Sequence, residues 1–312
     1  MTPDPLLTAL TAHALRMAHT RTAACPCGAT RTLAHRPDAT VVRHADTVAK
    51  AHAPDTDPAH LALRLTAAAR RPDVFVPPLR PAPIALHGRL VTFWPYGTPV
   101  DPDDPDAAPW EPAAALLALL HRTPVDTAGL PAMRGPARAA HAVTRLRALG
   151  DPPPAAVPVL RAWAALPAWA RAEAPMPETG TLCHGDLHLG QLVRLSGGRW
   201  RLIDVDDLGV GDPVWDLARP AAWYACGLLP APEWERFLDA YRAAGGPAVP
   251  AGADPWAVLD VPARALTVQT AARMITKAVT EGRQPDEPEQ SVIDACARMV
   301  TAPPWEGRGP GT

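Results

Sequence analysis

Apolar positions open the chain at helical spacing, and Leu6, Leu7, Leu10 and Leu15 predict a short amphipathic helix within residues 1–20. Between 29 and 53 the period falls to two. ATRTLAH, ATVVRH and TVAKAHA read as strands, with a tight corner at Ala45-Asp46. In the third strand Val48, Lys50 and His52 share one face, while Thr47, Ala49 and Ala51 share the other. A helix follows over 58–70, and Asp55 or Asp57 is placed to cap it. After a proline-rich connection over 76–83, IALHGRLVTFWPYGTPV reads as a hairpin turning at His87-Gly88.

The text then turns helical. Leu116, Leu117, Leu119 and Leu120 cover so much of the helix over 113–121 that burial in a core is expected. Further helices are predicted over 137–149, 157–172, 215–228, 232–244, 262–281 and 289–300; Val268, Ala271, Ala272, Ile275 and Val279 give the longest an apolar face. Strands interrupt this run only between 181 and 204, around a Gly197-Gly198 turn. The result is an α+β chain, strand-rich first and helical afterwards, without an internal repeat.

Composition narrows the possibilities. A formal net charge of −2 with 20% charged residues argues against a general nucleic-acid binder and against a polybasic membrane anchor. No apolar run reaches the ~20 residues needed to span a bilayer. Five cysteines form no even disulfide framework, and the start MTPDPLLTAL lacks a basic, apolar leader, so a reducing cytoplasm is expected. Cys25-Pro26-Cys27-Gly28 invites a metal reading, but two thiolates without a second nearby pair seldom close a zinc site, so a structural role is expected.

Chemistry concentrates in TLCHGDLHLGQLVRLSGGRWRLIDVDDLGVGDPVWDL, residues 181–217. His184, Asp186, His188 and Gln191 fall within eight residues, and an apolar strand then delivers Asp204. A hairpin here brings Asp186 and Asp204 toward one cleft. One acid then accepts a proton while the other holds a cation, the division of labour that phosphoryl transfer needs. Magnesium takes few protein ligands and prefers oxygen, so Asp204 with the amide oxygen of Gln191 suffices, leaving Asp186 free as base.

The segments HGDLHLGQ and LIDVDDLGVGDPVWDLARP resemble the catalytic and metal-binding loops of the aminoglycoside/choline phosphotransferase family, small-molecule kinases with a protein-kinase-like fold. The resemblance implies a two-lobed α+β protein-kinase-like fold, with a small, mainly antiparallel β lobe over 1–95 and a larger helical lobe over 96–301; the Pro/Gly-rich tail over 302–312 is expected to be disordered from its composition. It also implies ATP and Mg2+ as cofactors and a small-molecule hydroxyl as acceptor. Asp186 matches the catalytic aspartate, Gln191 the metal-binding Asn, and Asp204 the second metal-binding aspartate. His184 is expected to support the loop by hydrogen bonds and Asp216 to brace it by capping the next helix; Asp206 or Asp207 is expected to add a supporting contact. His188 sits where protein kinases place a lysine near the transferred phosphate, although packing is an equal alternative. Lys50, within Val-Ala-Lys, matches the lysine that pairs with nucleotide phosphates, and Trp94-Pro95-Tyr96-Gly97 is expected to form the hinge where adenine stacks on Trp94 and Tyr96.

Two departures stand out. The helix over 58–70 has no glutamate to steady Lys50, and no Gly-rich loop precedes Gly88, so the turn at Arg36-Pro37-Asp38 is the candidate cover for the phosphates. These gaps keep a nucleotide-binding scaffold without turnover as the alternative, with a metal-dependent phosphohydrolase behind it.

Overall fold

A computed structural model describes residues 4–19, 27–124, 129–177 and 180–301. In chain order its elements are α1 (Pro5–Ala18), β1 (Arg31–His35), β2 (Thr40–His44), β3 (Thr47–Ala51), α2 (Pro58–Ala69), β4 (Ile84–Leu86), β5 (Arg89–Pro95), β6 (Thr98–Pro99), α3 (Trp110–His121), α4 (Gly135–Arg147), α5 (Ala156–Ala165), β7 (Thr181–Cys183), β8 (Leu192–Arg194), β9 (Trp200–Leu202), β10 (Gly209–Gly211), α6 (Val214–Ala225), α7 (Ala231–Ala243), α8 (Trp256–Thr280) and α9 (Glu287–Thr301). They group into two compact units, Met1–Ala108 with Leu189–Asp206, and Pro109–His188 with Asp207–Thr312. The expected tail over 302–312 and Cys25 lie outside the described residues.

The first unit is an antiparallel sheet of order β1-β2-β3-β5-β4. Alternation in β2 and β3 buries one face of each strand. On that face Val42, Ala49, Ala51, Val91 and Phe93 pack with Leu10 and Ala14 of α1. Asp4 starts α1 by accepting the Leu6 amide at 2.9 Å, and Pro5 supplies a preset first turn. The β4–β5 turn falls at His87-Gly88 with φ of 46° and 73°, the left-handed pair that a two-residue hairpin requires. Asp57 caps α2 by accepting the His60 amide at 2.8 Å. The hairpin β8–β9 joins the unit through backbone bonds between Leu202 and the chain at Val74 and Val76.

The second unit is mainly helical. Around α8 pack α4, α5, α6 and α9, while α3 packs on α7 and the short pair β7–β10 carries the loops of interest. As its leucines suggest, α3 is buried on most sides, including Leu116, Leu117 and Leu120.

Two helix limits differ most from the sequence reading. α5 stops at Ala165 because Leu166, ahead of Pro167, is extended; the residue before a proline is driven out of the helical region. α8 begins at Trp256, whose amide is held by Asp254 at 2.9 Å, and Pro262 is absorbed inside it at the loss of one backbone bond.

Candidate active site

In the first unit the alternation of β3 puts Lys50 on the face opposite the α1-packed core. Its ammonium lies 2.7 Å from Asp204 Oδ1 and 2.8 Å from Asp206 Oδ2. Burial alone would push this lysine down, but the two carboxylates outweigh it and hold the amine charged, well above lysine's ordinary range. For Asp206 the balance is similar. Burial favours its neutral form, yet Lys50 and His52 keep it ionised, well below the carboxylate range.

The pairing extends across the sheet. His52 Nδ1 stands 2.8 Å from Asp206 Oδ1, and His52 Nε2 stands 2.8 Å from Thr92 Oγ1. Because an ionised Asp206 only accepts, Nδ1 carries a proton and donates to it. Thr92 in turn accepts the Trp94 indole N–H at 2.9 Å. A continuous run of hydrogen bonds therefore links Trp94, Thr92, His52, Asp206, Lys50 and Asp204.

Asp204 has φ of 64°, a left-handed conformation that aspartate tolerates better than most residues and that clusters at working sites. Gln191 ends the short 3-10 turn Leu189–Gln191, and its carbonyl accepts the Ile203 amide at 2.9 Å. Pairing of β8 with β9 thus puts Gln191 level with the residue before Asp204. Both offer oxygen donors, the type that magnesium prefers.

Tyr96, next to Trp94 in the hinge segment, has the Arg43 guanidinium 3.3 Å from its ring centroid, and its amide donates to Asp46 at 2.7 Å. Trp94 is buried, with its indole N–H committed to Thr92. The Arg36 turn closes through backbone bonds with Ala39, and Arg36 pairs with Asp38 at the surface.

In the second unit the HGD loop follows β7. Gly185 has φ of 84°, and a Cβ there would collide with the carbonyl of Asp207, so glycine is required on both counts. Asp216, fully buried in the first turn of α6, accepts the His184 amide at 2.6 Å and the Gly185 amide at 2.7 Å. His121 Nε2 donates to the same carboxylate at 3.0 Å. Tyr241 backs His121 Nδ1 at 2.8 Å, and the Ala248 amide donates to the tyrosine oxygen at 3.1 Å. Burial would raise Asp216, but the His121 bond and the loop amide bring it below the usual range. Asp216 therefore braces the loop directly and does not cap α6, whose N-cap is Pro213 without a side-chain bond; Asp212, just before it, accepts the Val214 amide at 3.1 Å.

His121, Cys183 and Asp216 offer donor atoms close enough to share an ion. Burial raises the Cys183 thiol well above its ordinary range, and the Asp216 carboxylate is already committed to three hydrogen bonds. The cluster is structural.

The Asp186 carboxylate is gripped by two arginines, with Arg219 Nη2 2.6 Å from Oδ1 and Arg138 Nη1 2.9 Å from Oδ2. Arg219 Nε also donates to the Leu187 carbonyl at 3.0 Å, and Arg138 also pairs with Asp207. His184 Nδ1 accepts the Asp186 amide at 3.4 Å, the support expected of it. His188 closes the loop half-buried, at the point where the chain leaves this unit. A small cavity of about 10 Å³ adjoins Asp186, lined also by Trp215 and Gln269. Trp215 Nε1 and Gln269 Oε1 are buried there without a hydrogen-bond partner among the described residues. A larger cavity of about 520 Å³ lies elsewhere in the unit, with Trp169, Asp212, Trp256 and Asp260 in its wall.

Of the residues singled out in the sequence, Lys50 and Asp204 are in direct contact, Gln191 is level with Asp204 in the backbone, and Asp186 belongs to the other unit. Arg138 and Arg219 escaped notice. Arg219 follows Asp216 by three residues, one helical turn, and that spacing was the available signal; Arg138 had none.

Comparison with known proteins gives a consistent picture. The family model described as the phosphotransferase enzyme family matches residues 29–256. No curated protein sequence matches significantly. Among solved structures, the choline kinase LicA from Streptococcus pneumoniae superposes with a TM-score of 0.59 at 14% identity, covering 88% of this chain and 93% of its own. The macrolide 2'-phosphotransferase MphH from Brachybacterium faecium gives 0.51 at 19% identity, covering 96% and 99%. A spectinomycin phosphotransferase, APH(9)-Ia, solved with ADP and spectinomycin, gives 0.58 at 13% identity, covering 88% and 93%. At such identities these likenesses establish the fold.

Proposed function

The chain belongs to the phosphotransferase enzyme family, and from that premise we infer that it moves the γ-phosphate of ATP to a hydroxyl group of a small molecule. The observation that carries this reading is the contact of Lys50 with Asp204: a charged amine and a strained carboxylate, joined on one sheet face, are the pair that nucleotide phosphates and their counterion require.

Lys50 is assigned to the nucleotide phosphates, and Trp94 and Tyr96 to the adenine. With Arg43 on one face of Tyr96, stacking falls to the other. Asp204 and the Gln191 amide oxygen would hold magnesium, and the donor set fits because both are hard oxygens. When bound, the ion neutralises charge on the transferring phosphate. Asp186 takes the proton from the acceptor hydroxyl. Its two arginine contacts leave lone pairs open, since a carboxylate offers about four acceptor positions, so the arginines orient the base without saturating it. His188 is the proposed companion at the loop's end. Beside Asp186, Trp215 and Gln269 line a cavity of about 10 Å³, room for no more than about one water.

A second reading, a nucleotide-binding scaffold without turnover, draws on the same two arginines, because both oxygens of Asp186 are engaged. A coupled ADP-release screen of the purified protein against hydroxylated metabolites and antibiotics decides between them, with Asp186→Ala as the blank. Acceptor-dependent release lost in that variant supports the transferase. ATP protection in thermal shift with no release for any acceptor supports the scaffold.

A further inference from the structure

Away from this chemistry, three metal-ligating side chains converge in the first unit. His19 follows the end of α1, Cys27 lies on the approach to β1, and His44 ends β2. Their donor atoms all lie within 4.8 Å of one another. We propose that His19, Cys27 and His44 form a binding site for a zinc-like transition-metal ion that fastens α1 to the sheet.

The geometry of the cluster suits a bound ion. His19 Nε2 and His44 Nε2 face each other at 3.1 Å, with their rings nearly perpendicular at 83°. Two imidazole nitrogens bound to one tetrahedral zinc stand about 3.3 Å apart, given Zn–N bonds of about 2.05 Å. The observed spacing lies close to that value. His44 is 2% exposed, and its other nitrogen, Nδ1, sits 3.0 Å from the Thr30 hydroxyl. If the hydroxyl accepts from Nδ1, the lone pair of Nε2 is left pointing at the cluster; a hydrogen bond on the far nitrogen is how metal-binding histidines are held. Cys27 is exposed, so its thiol can lose its proton to solvent as an ion binds.

The donor set defines the ion class. Two imidazoles and a thiolate suit Zn2+, or Co2+ as its spectroscopic substitute, and offer no oxygen to Mg2+ or Ca2+. A fourth position is left for a further donor. The gain is architectural, because α1 contributes Leu10 and Ala14 to the core of this unit and ends at His19. This inference stands apart from the transferase reading.

The test uses the full chain without a histidine tag, reduced and freed of metal by chelation, then titrated with Zn2+ or Co2+ alone. Wild type is expected to bind one ion per chain, to show the absorption of thiolate-bound, tetrahedral Co2+, and to melt at a higher temperature with zinc. Cys27→Ser and His19→Gln lie at or near the surface and should fold. Each should lower affinity at least tenfold and shrink the thermal shift. His44→Ala is informative only as confirmation, since His44 is buried. Absence of binding by wild type, or equal binding by both surface variants, overturns the proposal and leaves His19 and His44 as a simple hydrogen-bonded pair.

Discussion

Arg219 holds Asp186 at 2.6 Å with one nitrogen and the Leu187 carbonyl at 3.0 Å with another, so a single guanidinium fixes both the proposed base and the peptide after it. Lysine cannot reproduce that fork. Arg219→Lys is expected to reduce kcat by up to about 100-fold with little change in the KM for ATP, because misplacement of a base acts on the chemical step. Steady-state kinetics on the first acceptor found will decide it. A gain in turnover would mean that the arginine restrains Asp186, as the scaffold reading holds.

Gly185 makes a different demand on the same loop. Alanine there must adopt a left-handed conformation and also press against the Asp207 carbonyl. Gly185→Ala should destabilise the protein by at least about 2 kcal/mol and abolish turnover. Urea unfolding with an activity assay tests both; wild-type behaviour in the two would contradict the geometry.

For the nucleotide, Lys50→Met should raise the KM for ATP more than tenfold. The substitution also leaves Asp204 and Asp206 without their shared cation, so a lower melting temperature should accompany it. Binding of a fluorescent ATP analogue gives the direct reading, and unchanged affinity would remove Lys50 from the phosphate site.

Acid sensitivity follows from two carboxylates of the helical unit. Hydrogen bonding by Arg283 holds Glu289 down to about 2, and Asp216 is depressed by its His121 and loop contacts. In the unfolded chain such groups titrate near 4. The unfolded state therefore binds protons first as pH falls, and the stability these groups provide, complete above about pH 4.5, drains away toward pH 2. Thermal melts across that window should show a steep acid limb, and Glu289→Gln should flatten it. Parallel limbs would show that the Arg283 contact contributes nothing.

The sequence was most informative where period and spacing constrain the backbone. Alternation in TVAKAHA put Lys50 on the face away from the core, and HGD followed by IDVDD marked both acidic loops. It was least informative about who pairs with whom across long separations. The missing helix-α2 glutamate left Lys50 without a visible partner, whereas the partners are Asp204 and Asp206, some 154 residues away in sequence for Asp204. Asp216 looked like a helix cap because it sits in a first turn; only three dimensions show its carboxylate turned back onto the HGD amides. Prolines misled in both directions, since Pro167 stopped α5 early while Pro262 failed to start α8.

The β8–β9 hairpin completes the first unit by bonding Leu202 to Val74 and Val76, although it is encoded far downstream of them. On the ribosome those edge groups therefore wait, unmatched, through synthesis of much of the helical unit. A nascent chain cut off at residue 108 should consequently be a poor folder and a good chaperone client, and the first unit should mature only after translation has passed residue 206.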